Sequence, residues 1–221
     1  MKFDWAWLPP LLEGLKITVG ITASCIIIGI VLGLILALVR VYGRGPIYWI
    51  SSAYVQFFRG TPLLIQLLMI YYGLPSWGIS FSPILSGIIA MGLNTAAYQA
   101  EYFRGAIQAI KAGQMLAARS LGMSRVQAIR YVILPQALRL VIPPWSNELI
   151  YMLKYSSIVY MVTVMDLMGV ARVIAAKNFR FFEVFIITAL MYLALVLVIS
   201  WLLRRLELRV HVPGLGTGGR R

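Results

Sequence analysis

Leu11 to Val39 is an apolar run longer than the about 20 residues a helix needs to cross a bilayer. Phe181 to Leu203 is a second such run, and its only charge is Glu183 near its start. Runs of this length must be buried in a large core or placed in lipid, and the composition removes the first choice. The chain is 61% hydrophobic and only 12% charged, where soluble domains carry about a quarter charged residues. That leaves too little polar surface to cover a water-soluble core, so the chain reads as an all-α integral membrane protein. The first run is too long for the apolar part of a signal peptide and is expected to be a retained span.

Three interrupted apolar stretches lie between these runs, for five expected spans. Ile47 to Tyr72 is the second and is broken at Arg59-Gly60-Thr61-Pro62. The third starts at Pro83 and runs past Tyr98 towards Glu101, with Asn94, Thr95, Tyr98 and Gln99 adding polar groups. The fourth opens at Val141 to Leu153 behind Pro143-Pro144, and Lys154-Tyr155-Ser156-Ser157 follows it. Ile158 to Met168 is apolar around Asp166, and Ala171 to Arg180 reads as a basic connection. Residues 1–10 form a lead, with Trp5 and Trp7 suited to the membrane interface and Pro9-Pro10 expected to block a helix into the first span. Residues 11–204 are then the transmembrane domain, and 205–221 a basic cytoplasmic tail. Gly29 and Gly33 have the small-xxx-small spacing of close helix packing, an alternative to glycine as ordinary span composition. Cys25, the sole cysteine, reads as a small packing residue.

Net charge is +13, and its placement says more than its size. With five spans, one side holds Arg40, Arg44, six basic residues of a central loop, Arg204, Arg205, Arg209, Arg220 and Arg221. The other holds Lys2, Lys16, Lys154, Arg172, Lys177 and Arg180. The richer side is cytoplasmic by the positive-inside rule, which puts the N-terminus outside and the C-terminus in the cytoplasm. The charge is thus accounted for by the membrane, and no nucleic-acid partner is expected.

The central loop, at about 105–135, carries the most specific pattern. Gly113 and Gly122 bracket the good helix formers Gln114 to Leu121, and Gly just past such a piece suits a helix C-terminus. Ser124 and Gln127 have capping-box spacing, so a second helix is expected from about Arg125. Leu116-Ala117-Ala118 is followed after Arg119-Ser120-Leu121 by Gly122, and nine residues later by Val132-Ile133-Leu134-Pro135. This resembles the cytoplasmic loop of ABC importer membrane subunits, whose pattern is E-A-A, three residues, Gly, nine residues, I-x-L-P. Leu116 stands where the family has Glu, and Val132 where it has Ile. FFRGTPLLIQL (Phe57 to Leu67), NTAAYQAEYFRG (Asn94 to Gly105) and LPQALRLVIPPWSNELIYMLKYSS (Leu134 to Ser157) look like the polar amino acid permease branch.

The resemblance implies a type I ABC importer core of five transmembrane helices with a cytoplasmic coupling-helix loop. It implies that Leu116, Ala117, Ala118, Arg119, Ser120 and Gly122 couple to a cytoplasmic ABC ATPase dimer that uses ATP and Mg²⁺. It also implies a second membrane subunit, identical or homologous, an external solute-binding protein, and a place for this chain in the bacterial inner membrane. The chain itself lacks a Gly-x-x-x-x-Gly-Lys-[Ser/Thr] loop and is expected to bind no cofactor. With His211 as the only histidine, no metal cluster and no Ser-His pair is available, so no catalytic residue is expected.

Solute is expected to pass beside the polar interruptions, because irregular backbone at membrane depth must line a cavity or be buried in protein. The candidates are Arg59, Thr61, Asn94, Tyr98, Glu148, Lys154, Tyr155, Ser156 and Ser157. A zwitterion needs an acceptor for its ammonium and a donor for its carboxylate, which Glu148 and either Arg59 or Lys154 can supply. Glu148 and Lys154 are six positions apart, about 9 Å along a helix, within reach of the two ends of one solute. Each candidate also has a structural alternative, holding spans together or, for Lys154, snorkelling to the interface. Branch members often have an acidic residue where this chain has Tyr155, which argues against a cationic solute held there. A stand-alone secondary transporter or channel is the alternative function, although five spans and one projecting loop make a poor pore alone.

Overall fold

The computed structural model describes residues 4–210, which are helical with no strand among them. Lys2, His211, Arg220 and Arg221 lie outside these residues. The helices are α1 (Leu8–Tyr42), α2 (Pro46–Gly60), α3 (Leu63–Leu68), α4 (Pro83–Gln108), α5 (Ala112–Ser120), α6 (Arg125–Ala128), α7 (Leu134–Tyr155), α8 (Leu167–Asn178) and α9 (Phe181–Val210).

Trp5–Tyr42 and Phe181–Val210 are each long and apolar enough to cross a membrane. Two further helix pairs are apolar enough together but bent. Pro46–Gly60 and Leu63–Trp77 meet at 105°, and Arg125–Val162 and Leu167–Asn178 at 53°. The first bend falls at the expected break, where Thr61 and Pro62 take extended backbone. A proline lacks the N–H and forces its predecessor out of helical geometry.

Proline position also corrects two expectations. Pro9 and Pro10 do not block α1, because they occupy its first turn, where an N–H has no helical partner anyway. Pro143 and Pro144 do not begin a span; α7 passes straight through them from Leu134. The basic connection at Ala171 to Arg180 is mostly helix, α8, and Asp166 caps it by accepting from the Gly169 N–H at 2.9 Å. Asp166 is fully buried, and Thr18 of α1 and Tyr192 of α9 donate to it at 3.5 and 3.4 Å.

α1 and α4 run side by side in the same direction. Cys25 meets Ile88, Ile28 meets Gly92, Gly29 and Gly33 meet Gln99, and Arg40 meets Glu101. The glycine pair does serve close packing: a Cβ on Gly33 would lie 2.9 Å from Gln99 Cβ and 3.0 Å from the Ala96 carbonyl oxygen. α9 also runs parallel to α1, with Arg180 over the Trp7 ring and Tyr192 sharing Asp166 with Thr18. α9 leaves Leu190, Leu193, Leu197, Val198, Trp201 and Leu202 exposed, as a lipid-facing surface requires.

Candidate functional site

α5 is a nine-residue helix with a hard stop. Gly122 adopts φ +82, its N–H bonds the Arg119 carbonyl at 3.0 Å, and the Met123 N–H bonds the Ala118 carbonyl at 3.2 Å. This is a Schellman closure, and it needs the left-handed backbone that glycine adopts without strain. Gly113 does not lie outside the helix as the bracketing reading expects; α5 starts at Ala112 and takes Gly113 into its first turn. Ser124 and Gln127 form both bonds of the capping box, at 3.2 and 2.7 Å, and start α6 at Arg125. Between the two stops Ala118 is buried, Ala117, Arg119 and Ser120 are exposed, and Leu116 and Leu121 are 70% and 81% exposed. Arg119 donates to the Met123 carbonyl at 2.8 Å, bracing the turn.

The polar candidates divide into three groups. At the α2–α3 elbow, one Gln66 amide nitrogen donates to the Phe58 carbonyl, the Thr61 carbonyl and Thr61 Oγ1 at 2.7–3.1 Å. Asn94 of α4 donates to Phe58 and to Gln66 Oε1. Thr61 and Asn94 therefore close the backbone that the break frees.

Glu148 of α7 and Arg59 of α2 form a second group against the Thr95–Tyr102 part of α4. Glu148 is buried; Thr95 donates to its Oε1 at 2.8 Å and Tyr102 to its Oε2 at 3.2 Å. No cation pairs with it among the described residues. The Arg59 guanidinium lies over the Tyr98 ring at 5.2 Å, one helical turn from Tyr102, and reaches Glu101 only at 4.0 Å. Glu101 is already engaged: Arg40 bonds its Oε1 and Arg104 grips its Oε2 at 2.6 and 3.0 Å. Arg59 thus keeps its donors while its charge faces an occupied partner, and its side chain is 43% exposed.

Lys154, Tyr155, Ser156 and Ser157 form the third group, where α7 gives way to a 3₁₀ segment, Ser156–Val162. Lys154 sits above the Tyr151 ring at 4.7 Å, Tyr155 stacks on Tyr151, and both Lys154 and Tyr155 are exposed. Ser156 and Ser157 bond the Leu153 and Lys154 carbonyls. Lys154 and Ser157 line a cavity of about 310 Å³ with Met168, Phe185, Thr188, Ala189 and Tyr192. Glu148 and Lys154 are not brought together. Six residues turn a helix by about 240°, so Glu148 faces α4 while Lys154 faces α9. Thr95, Gln99, Glu101 and Tyr102 are not among the candidates the sequence suggests, although Thr95 and Gln99 are visible there as polar groups of the third stretch. The signal for them is spacing: Thr95, Gln99 and Tyr102 share one face of α4.

Residues 29–212 match the family described as "Binding-protein-dependent transport system inner membrane component". The chain belongs to this family. The probable amino-acid ABC transporter permease protein PatM of Vibrio harveyi is 38% identical over 90% of this chain and 93% of its own. The glutamine transport system permease protein GlnP of Escherichia coli K12 is 36% identical over 96% of this chain and all of its own. The crystal structure of an amino acid ABC transporter with histidines superposes with a TM-score of 0.87 at 40% identity, over 95% of this chain and 100% of that one. The inward-facing MetNI methionine transporter, at 22% identity and TM-score 0.81, shares the fold. The permease is therefore a multi-pass membrane component of an ABC importer and not an enzyme; ATP hydrolysis is the work of a separate ATPase. Family membership brings with it an ATPase and a solute-binding protein as partners.

Proposed function

We propose that this permease subunit carries a polar amino acid, delivered by an external binding protein, past Arg59 of α2, Tyr98 and Tyr102 of α4 and Glu148 of α7. The observation that carries this reading is Glu148, a buried carboxylate with two hydroxyl donors and no cation. Such a group is expensive in a membrane unless a positive partner arrives, and a solute ammonium is that partner. Arg59, with donors to spare near the same tyrosines, suits the solute carboxylate. The relatives named for glutamine and amino-acid transport favour this solute class.

Five crossings fit the parallel run of α1, α4 and α9, which requires two return passages. The lysine and arginine distribution then puts residues 1–10 outside and the 205–221 tail in the cytoplasm. α5 is read as the coupling helix, with Leu116, Ala117, Ala118, Arg119, Ser120 and Gly122 against a cytoplasmic ATPase dimer that holds ATP and Mg²⁺. A second membrane subunit, identical or homologous, completes the path. Lys154, Tyr155 and Ser157 are placed at the outer mouth, beside the α7–α9 cavity.

The test is uptake into proteoliposomes containing the assembled transporter and its binding protein, with Glu148→Gln and Tyr155→Phe variants. Glu148→Gln is expected to lower uptake at least tenfold, and Tyr155→Phe to shift the ratio among competing amino acids, while co-purification of the ATPase persists. Unchanged kinetics and selectivity in both variants would return these residues to structural roles.

A further inference from the structure

Behind Glu148 lies a second layer of polar contacts. Gln99 Nε2 donates to Thr95 Oγ1 at 3.2 Å, so the Thr95 hydroxyl has its own proton free for Glu148 Oε1 at 2.8 Å. All three side chains are buried, Thr95 and Gln99 completely. Gln99 is held from the other side by α1. Gly29 and Gly33 leave room that side chains would fill, since a Cβ on Gly29 would collide with Gln99 Nε2 and lie 2.8 Å from Thr95 Cγ2. Gln99 Oε1 has no hydrogen-bond partner although it is fully buried. An orphaned acceptor of this kind costs about 1–3 kcal/mol, and a structure that served packing alone would replace Gln99 by an apolar residue.

We infer that Thr95 and Gln99 are specificity-determining positioning residues, which fix the Glu148 carboxylate for a solute ammonium against the glycine pair of α1. The inference rests on the proposed role of Glu148 in the solute path. Gln99 fixes which way the Thr95 hydroxyl points, and Thr95 fixes one oxygen of Glu148. Tyr102 fixes the other oxygen. With one donor on each oxygen, the carboxylate is held in one orientation and keeps lone pairs for a solute ammonium. The preference follows from charge: an ammonium makes charge-assisted bonds to the held carboxylate, and an N-acylated, neutral nitrogen makes only weaker ones.

The experiment uses the transporter assembled with its ATPase and binding protein in proteoliposomes. The probe is L-glutamine, or whichever standard amino acid the wild type takes up fastest, with the N-acetyl derivative of the same amino acid as competitor. Thr95→Val keeps the shape and removes the donor. It is expected to raise the KM for uptake about tenfold, the equivalent of one hydrogen bond to a charged group, and to weaken the discrimination against the N-acetyl competitor. Thr95→Ser restores the hydroxyl and is expected to recover most of both. Gln99→Met is expected to move both readouts in the same direction by a smaller factor. A Thr95→Val transporter with wild-type KM and discrimination overturns the inference. So does a Thr95→Ser transporter as defective as Thr95→Val, because that outcome means packing. Glu148→Gln is measured alongside: a defect there with normal Thr95→Val overturns the positioning role alone, and no defect in Glu148→Gln overturns the solute path on which it rests.

Discussion

Replacing Glu101 by Gln removes one charge from a junction of three helices. The carboxylate joins Arg40 at the end of α1 to Arg104 on its own helix and attracts Arg59 from the end of α2. Breaking a buried pair by deleting one partner costs about 3–5 kcal/mol, because the other charge stays behind without compensation. The Glu101 and Arg40 side chains are 17% and 13% exposed, so solvent returns part of that cost. A loss of about 2–3 kcal/mol remains, equivalent to a fall in Tm of roughly 5–10 °C for a chain of this size. The internal control is Glu13→Gln. Its partner Lys16 lies at 2.6 Å, but both side chains are about 70% exposed, and such pairs contribute under about 1 kcal/mol. Thermal unfolding of the detergent-purified protein, followed by tryptophan fluorescence, gives both shifts in one series. If Glu101→Gln lowers Tm no more than Glu13→Gln, burial does not set the strength of these pairs, and the junction does not hold α1 to α4.

Gly122→Val forces a β-branched side chain into φ +82, a strain of about 1–3 kcal/mol at the end of α5; uptake and ATPase coupling are expected to fall while membrane insertion, read by fractionation, persists. Gly33→Val drives a side chain into the Ala96 carbonyl and Gln99, at about 2 kcal/mol or more. Gly20→Val, which would meet nothing within 4 Å, should leave Tm unchanged. Cysteines introduced at Ser76 and at Ser120, in a background lacking Cys25, are expected to react from opposite sides of the membrane. Labelling of both by an impermeant reagent applied outside contradicts the five-crossing arrangement.

The features legible in the sequence were those set by local chemistry. The Gly122 stop, the Ser124–Gln127 cap and the break at Thr61-Pro62 each depend on two to four neighbouring residues, and each appears where its residue types put it. Proline was misread where only the surrounding helix decides its effect. The same residue that breaks α2 from α3 opens α1 at Pro9-Pro10 without harm, and α7 tolerates Pro143 and Pro144. The pairing of Glu148 with Lys154 failed for a geometric reason. Distance along a helix was counted, but rotation about it was not, and the two side chains leave α7 in different directions.

α4, the third expected span, is the helix that packs most extensively against the others, and it is less apolar than α1 or α9. It has 26 residues, about 39 Å at 1.5 Å per residue, yet it is not among the helices or bent pairs apolar enough to be recognised as crossings. Five of its polar side chains need no lipid-compatible surface, because they are turned to partner helices. Asn94 faces the α2–α3 elbow, Thr95 and Tyr102 face Glu148 of α7, Gln99 faces the α1 glycines, and Glu101 faces Arg40. α9 is the opposite case: it contributes few buried residues, and its apolar side chains look outward. The most apolar helices, α1 and α9, are thus not the one that packs most extensively against the others. Polar side chains turned to partner helices, and not an apolar surface alone, are what allow a helix of this composition to sit at membrane depth.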